Sequence, residues 1–236
     1  MSTRPCPFCK IAAAHPPIPT SNFLPSADQS STSTTTTTTT IAAPANATDT
    51  DENAAADPDS HAFLILSTKH VLAFLDIMPL TSGHVLVVPR DHAEKLGEVG
   101  VRVSRELGTW LPIISRAVMR TVFSEETREP SSNTDESWNW NVVQNNGVGA
   151  AQVVPHVHFH IVPRPPTGAA STKAKMSFVM FGRGQREDLD DEEAESLAGV
   201  LRGEIAREVV RVREVERVDV EAEVEEGGVV VGRGRL

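Results

Sequence analysis

From His156 to Val162 the chain alternates strictly, with histidines at 156, 158 and 160 and Val157, Phe159 and Ile161 between them, before Pro163. A period of two predicts a half-buried β-strand, with the apolar residues entering a core and all three imidazoles on the other face. Apolar runs predict further strands at 62–67, 71–76, 84–89 and 138–145. Between the last two, Val99, Val103, Leu107, Leu111, Ile114, Val118 and Val122 recur at helical spacing. They predict one long helix over 95–123, with Pro112 expected to kink or interrupt it. A short helix is expected over 5–14. This order of elements predicts an α+β fold, an antiparallel sheet of about five strands with helices on one side.

Two regions fall outside that pattern. From about 20 to 60 the chain collapses to Ser, Thr, Ala, Asp and Pro, including an unbroken run from Thr34 to Thr40. Such a stretch has too little apolar surface to offset its ordering entropy and is expected to be a disordered insertion. It interrupts a domain over 1–165, and residues 166–236 form a C-terminal extension. The extension reads as a linker over 166–175, an edge strand at 176–181, a helix over 189–217 and an acidic end around 221–226. The helix rests on Leu197, Leu201, Ile205, Val209 and Val212, and its acidic start suits the helix dipole. Its apolar stripe reads as packing, in a surface helix or an oligomer contact, rather than as a site.

Charge narrows the partners. The 236 residues carry a formal net charge of −10, which argues against a general nucleic-acid binder. A small phosphorylated ligand needs only local positive or dipolar character, so acidity does not count against it. No stretch approaches the ~20 apolar residues of a membrane span, and the first residues lack a basic-then-apolar leader. Cytosol or nucleus is therefore the expected location.

The histidines carry the chemistry. At ~3.3 Å per residue, neighbouring imidazoles sit roughly 6.7 Å apart and the outer two roughly 13 Å apart. Adjacent pairs can chelate one ion, but the outer pair is stretched too far for easy closure around a single metal. Near neutral pH an imidazole can also act as nucleophile or base. Cys6-Pro7-Phe8-Cys9 admits three readings: a redox pair, two inert thiols, or metal ligands. A redox pair should follow a buried strand, yet only five residues precede Cys6.

The histidine run resembles the motif of the histidine-triad (HIT) superfamily of nucleotide hydrolases and transferases. The likeness extends to Leu72-Ala73-Phe74-Leu75-Asp76-Ile77-Met78-Pro79 and to Gly83-His84-Val85-Leu86-Val87-Val88-Pro89-Arg90-Asp91-His92. It continues through Val142-Val143-Gln144-Asn145-Asn146-Gly147 and Gln152. The resemblance implies that His158 attacks a nucleotide α-phosphate, that His160 bonds a phosphate oxygen or relays a proton, and that His84 orients His160. His160 stands where transferase branches commonly carry Gln, which favours hydrolysis. The resemblance also implies that Asp76, beside Ile77, accepts ribose hydroxyls. Asn145 and the backbone around Ala151 and Gln152 would hold the phosphate, and Phe8, Ile11 and Phe74 would wall the base.

It further implies a structural zinc on Cys6, Cys9, His92 and His156, and a two-fold homodimer with contacts near 95–123 and 138–145. Trp138 and Trp140 would share one face of the strand there. Hint-type members usually carry a hydroxyl residue three positions before the triad, where this chain has Val153. The expected activity is Hint-like hydrolysis of purine nucleoside phosphoramidates or related AMP conjugates. The alternatives are a dinucleoside polyphosphate hydrolase of the Fhit type and a nucleotide-binding adaptor with incidental turnover.

Overall fold

Five short strands, all antiparallel, form the sheet of this computed structural model, which describes residues 6–24, 60–123, 138–164, 188–220 and 222. They are β1 (Leu64–Ser67), β2 (Val71–Leu75), β3 (Val85–Pro89), β4 (Asn139–Gln144) and β5 (Phe159–Arg164), in the order β1-β2-β3-β5-β4. The helices are α1 (Pro7–Ala14), α2 (Thr20–Phe23), α3 (Val101–Val122) and α4 (Asp191–Arg211). The expected α+β architecture is present, but helices cover both faces of the sheet rather than one, because Phe8 and Ile11 of α1 supply an apolar cover for the second face.

Alternation sorts the sheet into two faces, because residues opposite one another in register point the same way. Val142, Ile161 and Val85 are in register, and so are Val143, His160 and Leu86. The first set belongs to the face covered by α3 and α4, where Ala73, Leu75, Val85, Val87 and Ile161 pack with Trp110, Ile114, Leu201 and Ile205. On the second face Leu72, Phe74, Leu86 and Val88 pack under Phe8 and Ile11 of α1. His160 lies on that second face, beside the α1 cover.

Three further expectations are corrected. The triad strand begins only at Phe159, because the N–H of His156 goes to the Val154 carbonyl and that of Val157 to the Ala93 carbonyl. The long helix runs unbroken through Pro112. The carbonyl that Pro112 leaves without a donor is that of Gly108, and both residues are exposed, so water can take the bond. Helix α4 takes the first of its expected roles, a surface helix with its stripe packed inward: Ala194, Ala198, Leu201 and Ile205 are fully buried against α3 and the sheet, while Asp191, Glu192 and Glu193 stay exposed. The low-complexity reading began too early, since Thr20–Phe23 form a helical turn and Leu24 enters the main core. The rest of the insertion, 25–59, lies outside the described residues, as do the expected linker, the edge strand and nearly all of the acidic end.

Three charged groups fasten these layers. Asp190 caps α4 by accepting the N–H groups of Glu192 and Glu193. Further along, buried Glu208 receives Arg116, Arg120 and Arg211, which joins α4 to α3. On the other side of the sheet, the Arg90 guanidinium donates to the carbonyls of Thr68 at 2.6 Å, Ala12 at 3.1 Å and His15 at 2.7 Å. It also reaches Ser67 Oγ at 2.6 Å, and so fastens the C-terminal end of α1 to the β1–β2 turn.

Candidate active site

His158 stands just before β5, buried between the edge of Phe8, 5.4 Å away by ring centroid, and His160 at 4.9 Å. Its Nδ1 lies 2.6 Å from the His156 carbonyl oxygen, which can only accept. Nδ1 therefore carries the proton and Nε2 carries the lone pair. Burial holds its pKa below the ordinary 6.5, against the smaller opposing effects of that carbonyl and of the Asp76 charge. A neutral ring with one nitrogen already committed has its other lone pair available for nucleophilic attack.

A second pair sits beside it. His84 Nε2 is 2.9 Å from His160 Nδ1, while His84 Nδ1 receives the Leu80 N–H at 3.2 Å. Because Nδ1 accepts, the His84 proton is on Nε2 and is donated to His160, whose own proton is then on Nε2. Asp76 closes this row: its Oδ2 is 3.4 Å from His84 Nδ1 and its Oδ1 accepts the Met78 N–H at 2.9 Å. The carboxylate expected to meet ribose is thus largely buried and turned toward His84, with Ile77 exposed next to it. Gly83 makes the entry to β3 possible, at φ +77 and with the place of a Cβ only 2.6 Å from Val122 Cγ2.

The loop between β4 and the triad is held from within. Gln152 is buried; its Oε1 accepts the Gly147 N–H at 2.5 Å, and its Nε2 donates to the carbonyls of Glu94 at 2.8 Å and His156 at 3.2 Å. The N–H groups of Ala151 and Gln152 donate to Val148 and Gly147 carbonyls, so the donors expected to meet a phosphate are engaged inside the loop in this conformation. Ala151 is exposed in the left-handed region at φ 63, Asn145 is half-buried at the end of β4, and Val153 is 91% exposed. Phe8, Ile11 and Phe74 form one apolar wall beside His158.

Cys6, Cys9, His92 and His156 converge, all four ligand atoms lying within 4.8 Å of one another. The individual separations are 3.4 Å for Cys6 Sγ to His156 Nδ1, 3.3 Å for Cys9 Sγ to His92 Nδ1, and 3.6 Å for Cys9 Sγ to His156 Nδ1. Tetrahedral zinc, with bonds of about 2.3 Å to sulfur and about 2.05 Å to nitrogen, sets S···N edges of about 3.6 Å. The donor set fits. His156 Nε2 donates to the Pro89 carbonyl at 2.9 Å, which leaves the Nδ1 lone pair facing the thiols. Without a cation, burial and then the neighbouring Cys6 push the Cys9 thiol up to about 11, a bias that a divalent ion reverses.

Residues 57–167 match the HIT domain family. An uncharacterised HIT-like protein of Methanocaldococcus jannaschii is 36% identical over 130 residues, covering 55% of this chain and 84% of that one. The chain belongs to the HIT domain family. An adenosine 5′-monophosphoramidase of Schizosaccharomyces pombe is 40% identical to this HIT protein over 101 residues, 43% of this chain and 63% of that one. The chain spans between 54% and 63% of the length of the phosphoramidase relatives it matches. Among solved structures, a hypothetical histidine-triad nucleotide-binding protein of Sulfolobus tokodaii aligns at a TM-score of 0.49 and 21% identity, over 66% of this chain and 89% of that one.

The structure brings His84, His158, His160 and Asp76 together beside the wall of Phe8, Ile11 and Phe74, and gathers Cys6, Cys9, His92 and His156 into a second cluster, while the N–H groups of Ala151 and Gln152 bond within their own loop. Three contributors went unread in the sequence: the Leu80 N–H, the Pro89 carbonyl and the Arg90 clamp. Only Arg90 left a signal, as the charged residue that closes an apolar strand.

Proposed function

We propose that this HIT protein hydrolyses purine nucleoside phosphoramidates or related AMP conjugates through a nucleotidyl-histidine intermediate on His158. The observation that carries the reading is the His158 Nδ1 bond to the His156 carbonyl, which leaves the Nε2 lone pair for phosphorus. Nε2 attacks the α-phosphorus and the bond to the leaving group breaks, with His160 Nε2–H supplying the leaving group's proton. Water then displaces His158 from phosphorus, returns a proton to His160, and releases the nucleoside monophosphate. Phe8, Ile11 and Phe74 wall the base, and Asp76 and Ile77 border the ribose. Asn145 faces the phosphate from the end of β4.

Zinc on Cys6, Cys9, His92 and His156 supports this site structurally, fixing α1 and the turn before β5 while leaving His158 and His160 for chemistry. The working form is a homodimer joined through β4. On the α3 side of that edge strand Trp140 and Val142 remain 42% and 47% exposed, whereas Trp138 packs on the core.

Turnover of adenosine 5′-phosphoramidate, measured beside a diadenosine polyphosphate, tests the reading. Preferred cleavage of the phosphoramidate is expected, and His158→Ala should lower it by at least ~10³-fold with an unchanged circular dichroism spectrum. Near wild-type turnover by that variant refutes the mechanism. Faster cleavage of the polyphosphate favours the Fhit-type reaction, and AMP binding without any turnover favours an adaptor.

A further inference from the structure

The loop from Asp76 to His84 carries both a carboxylate and the N–H that sets the His84 tautomer, so whatever holds this loop acts on the site. Its stem is closed by the Asp76 N–H on the His84 carbonyl, at 3.0 Å. Its far side is held by Thr81 Oγ1 on the Pro163 carbonyl, at 2.9 Å. Its remaining corner, Ile77, is held by the C-terminal extension: the Leu189 N–H donates to the Ile77 carbonyl at 2.9 Å. Leu189 itself packs against the main core, one residue before the Asp190 cap of α4.

We infer that the entry to α4 is a positioning element for the catalytic histidines, with Leu189 holding the 76–84 loop so that the Leu80 N–H stays on His84 Nδ1. The inference rests on the hydrolase reading for its consequence in rate, though not for its structural content. His84 Nδ1 has two neighbours and can serve one of them. As a lone pair it accepts Leu80 N–H; as N–H it faces the Asp76 carboxylate, 3.4 Å away. The choice propagates. With the lone pair on Nδ1, His84 donates through Nε2 to His160, and His160 presents Nε2–H on the side of its ring away from His84. With the proton on Nδ1, His84 Nε2 becomes the acceptor, His160 must donate through Nδ1, and its far nitrogen becomes a lone pair. One backbone hydrogen bond thus decides whether His160 offers a proton to the leaving group, with no change in total charge.

Leu189→Pro removes the N–H while retaining an apolar side chain, and Asp190→Ala serves as the control, since it weakens the start of α4 without touching the Ile77 bond. Both should lower the melting temperature. Only Leu189→Pro should lower kcat, by several-fold, with a smaller effect on the dissociation constant of AMP. Nitrogen-15 correlation spectra of the histidine rings should show His84 protonated on Nε2 in the wild type and Asp190→Ala, and mixed between tautomers in Leu189→Pro. If Leu189→Pro does not fold, Leu189→Gly, which keeps the N–H but loses the packing that seats it, should shift both readouts in the same direction by less. Unchanged kcat and ring spectra overturn the inference, as does an equal loss of kcat in Asp190→Ala. A wild type that turns over no AMP conjugate refutes the hydrolase reading instead, and the ring spectra still test the inference.

Discussion

Replacing Glu208 by glutamine should separate the fold's dependence on α4 from any effect at the site. The side chain is fully buried and is held by Arg116, Arg120 at 2.5 Å and Arg211 at 2.9 Å. Glutamine keeps the volume but removes the charge, leaving three guanidinium groups around a neutral amide. Breaking one side of a buried ion pair costs about 3–5 kcal/mol. Each of these arginines is about one-third exposed and can rehydrate, so the lower end, about 3 kcal/mol, is expected. At roughly 2–4 °C per kcal/mol for a domain of this size, the melting temperature should fall by roughly 6–12 °C. The pH dependence is the sharper test. Burial alone would raise the Glu208 pKa, but hydrogen bonds from Arg211 and Arg120 and the Arg116 charge outweigh it and hold it below 4.5. The unfolded chain then takes up the proton at a higher pH than the folded one, so the contribution is complete above about 4.5 and drains as pH falls through the depressed value. Denaturation midpoints of wild type and Glu208→Gln should differ most at pH 7 and converge in acid. Equal midpoints at pH 7, or a gap that persists unchanged in acid, would falsify the account.

Because burial lowers the His158 pKa, kcat/KM should fall on the acid side with a midpoint below 6.5; a midpoint above 6.5 contradicts a neutral, desolvated nucleophile. Purified protein should hold about one zinc per chain, lost together with thermal stability on chelation or on Cys9→Ser, and absence of the metal after growth with zinc returns both cysteines to the inert reading. Trp140→Glu should convert a dimer in light scattering to a folded monomer; an unaltered mass places the contact elsewhere.

Local patterns were legible where neighbours in sequence decide them. Apolar runs placed four of the five strands within two residues of their ends, and the short helix expected over 5–14 is α1, which carries Cys9 and has Cys6 at its N-terminal cap. What failed was decided by partners far along the chain. Nothing in the stripe Leu197-Leu201-Ile205 says which surface covers it, and a stripe alone cannot distinguish a core helix from an interface. The triad strand starts late because Ala93, more than sixty residues upstream, takes the Val157 N–H. The backbone around Ala151 and Gln152 was read as a phosphate contact, and no spacing rule announces that the Gln152 side chain would bind three backbone groups of the same region. The tautomers of His84 and His158 depend on a main-chain amide and a main-chain carbonyl, and backbone groups leave no residue signature.

The N-terminal segment also bears on what keeps the chain in one piece. Residues 6–24 are attached to the rest through the Arg90 guanidinium, the Ile18 bond to Ser67, the Ser67 hydroxyl on the Pro16 carbonyl, and the burial of Phe8, Ile11 and Leu24. Covalent continuity across 25–59 adds little beyond a high local concentration. A protease cut there would turn an intramolecular segment into a bound peptide, one that leaves on dilution and returns on mixing. Such a nicked molecule would be a two-piece protein, its intact fraction set by mass action between fragments.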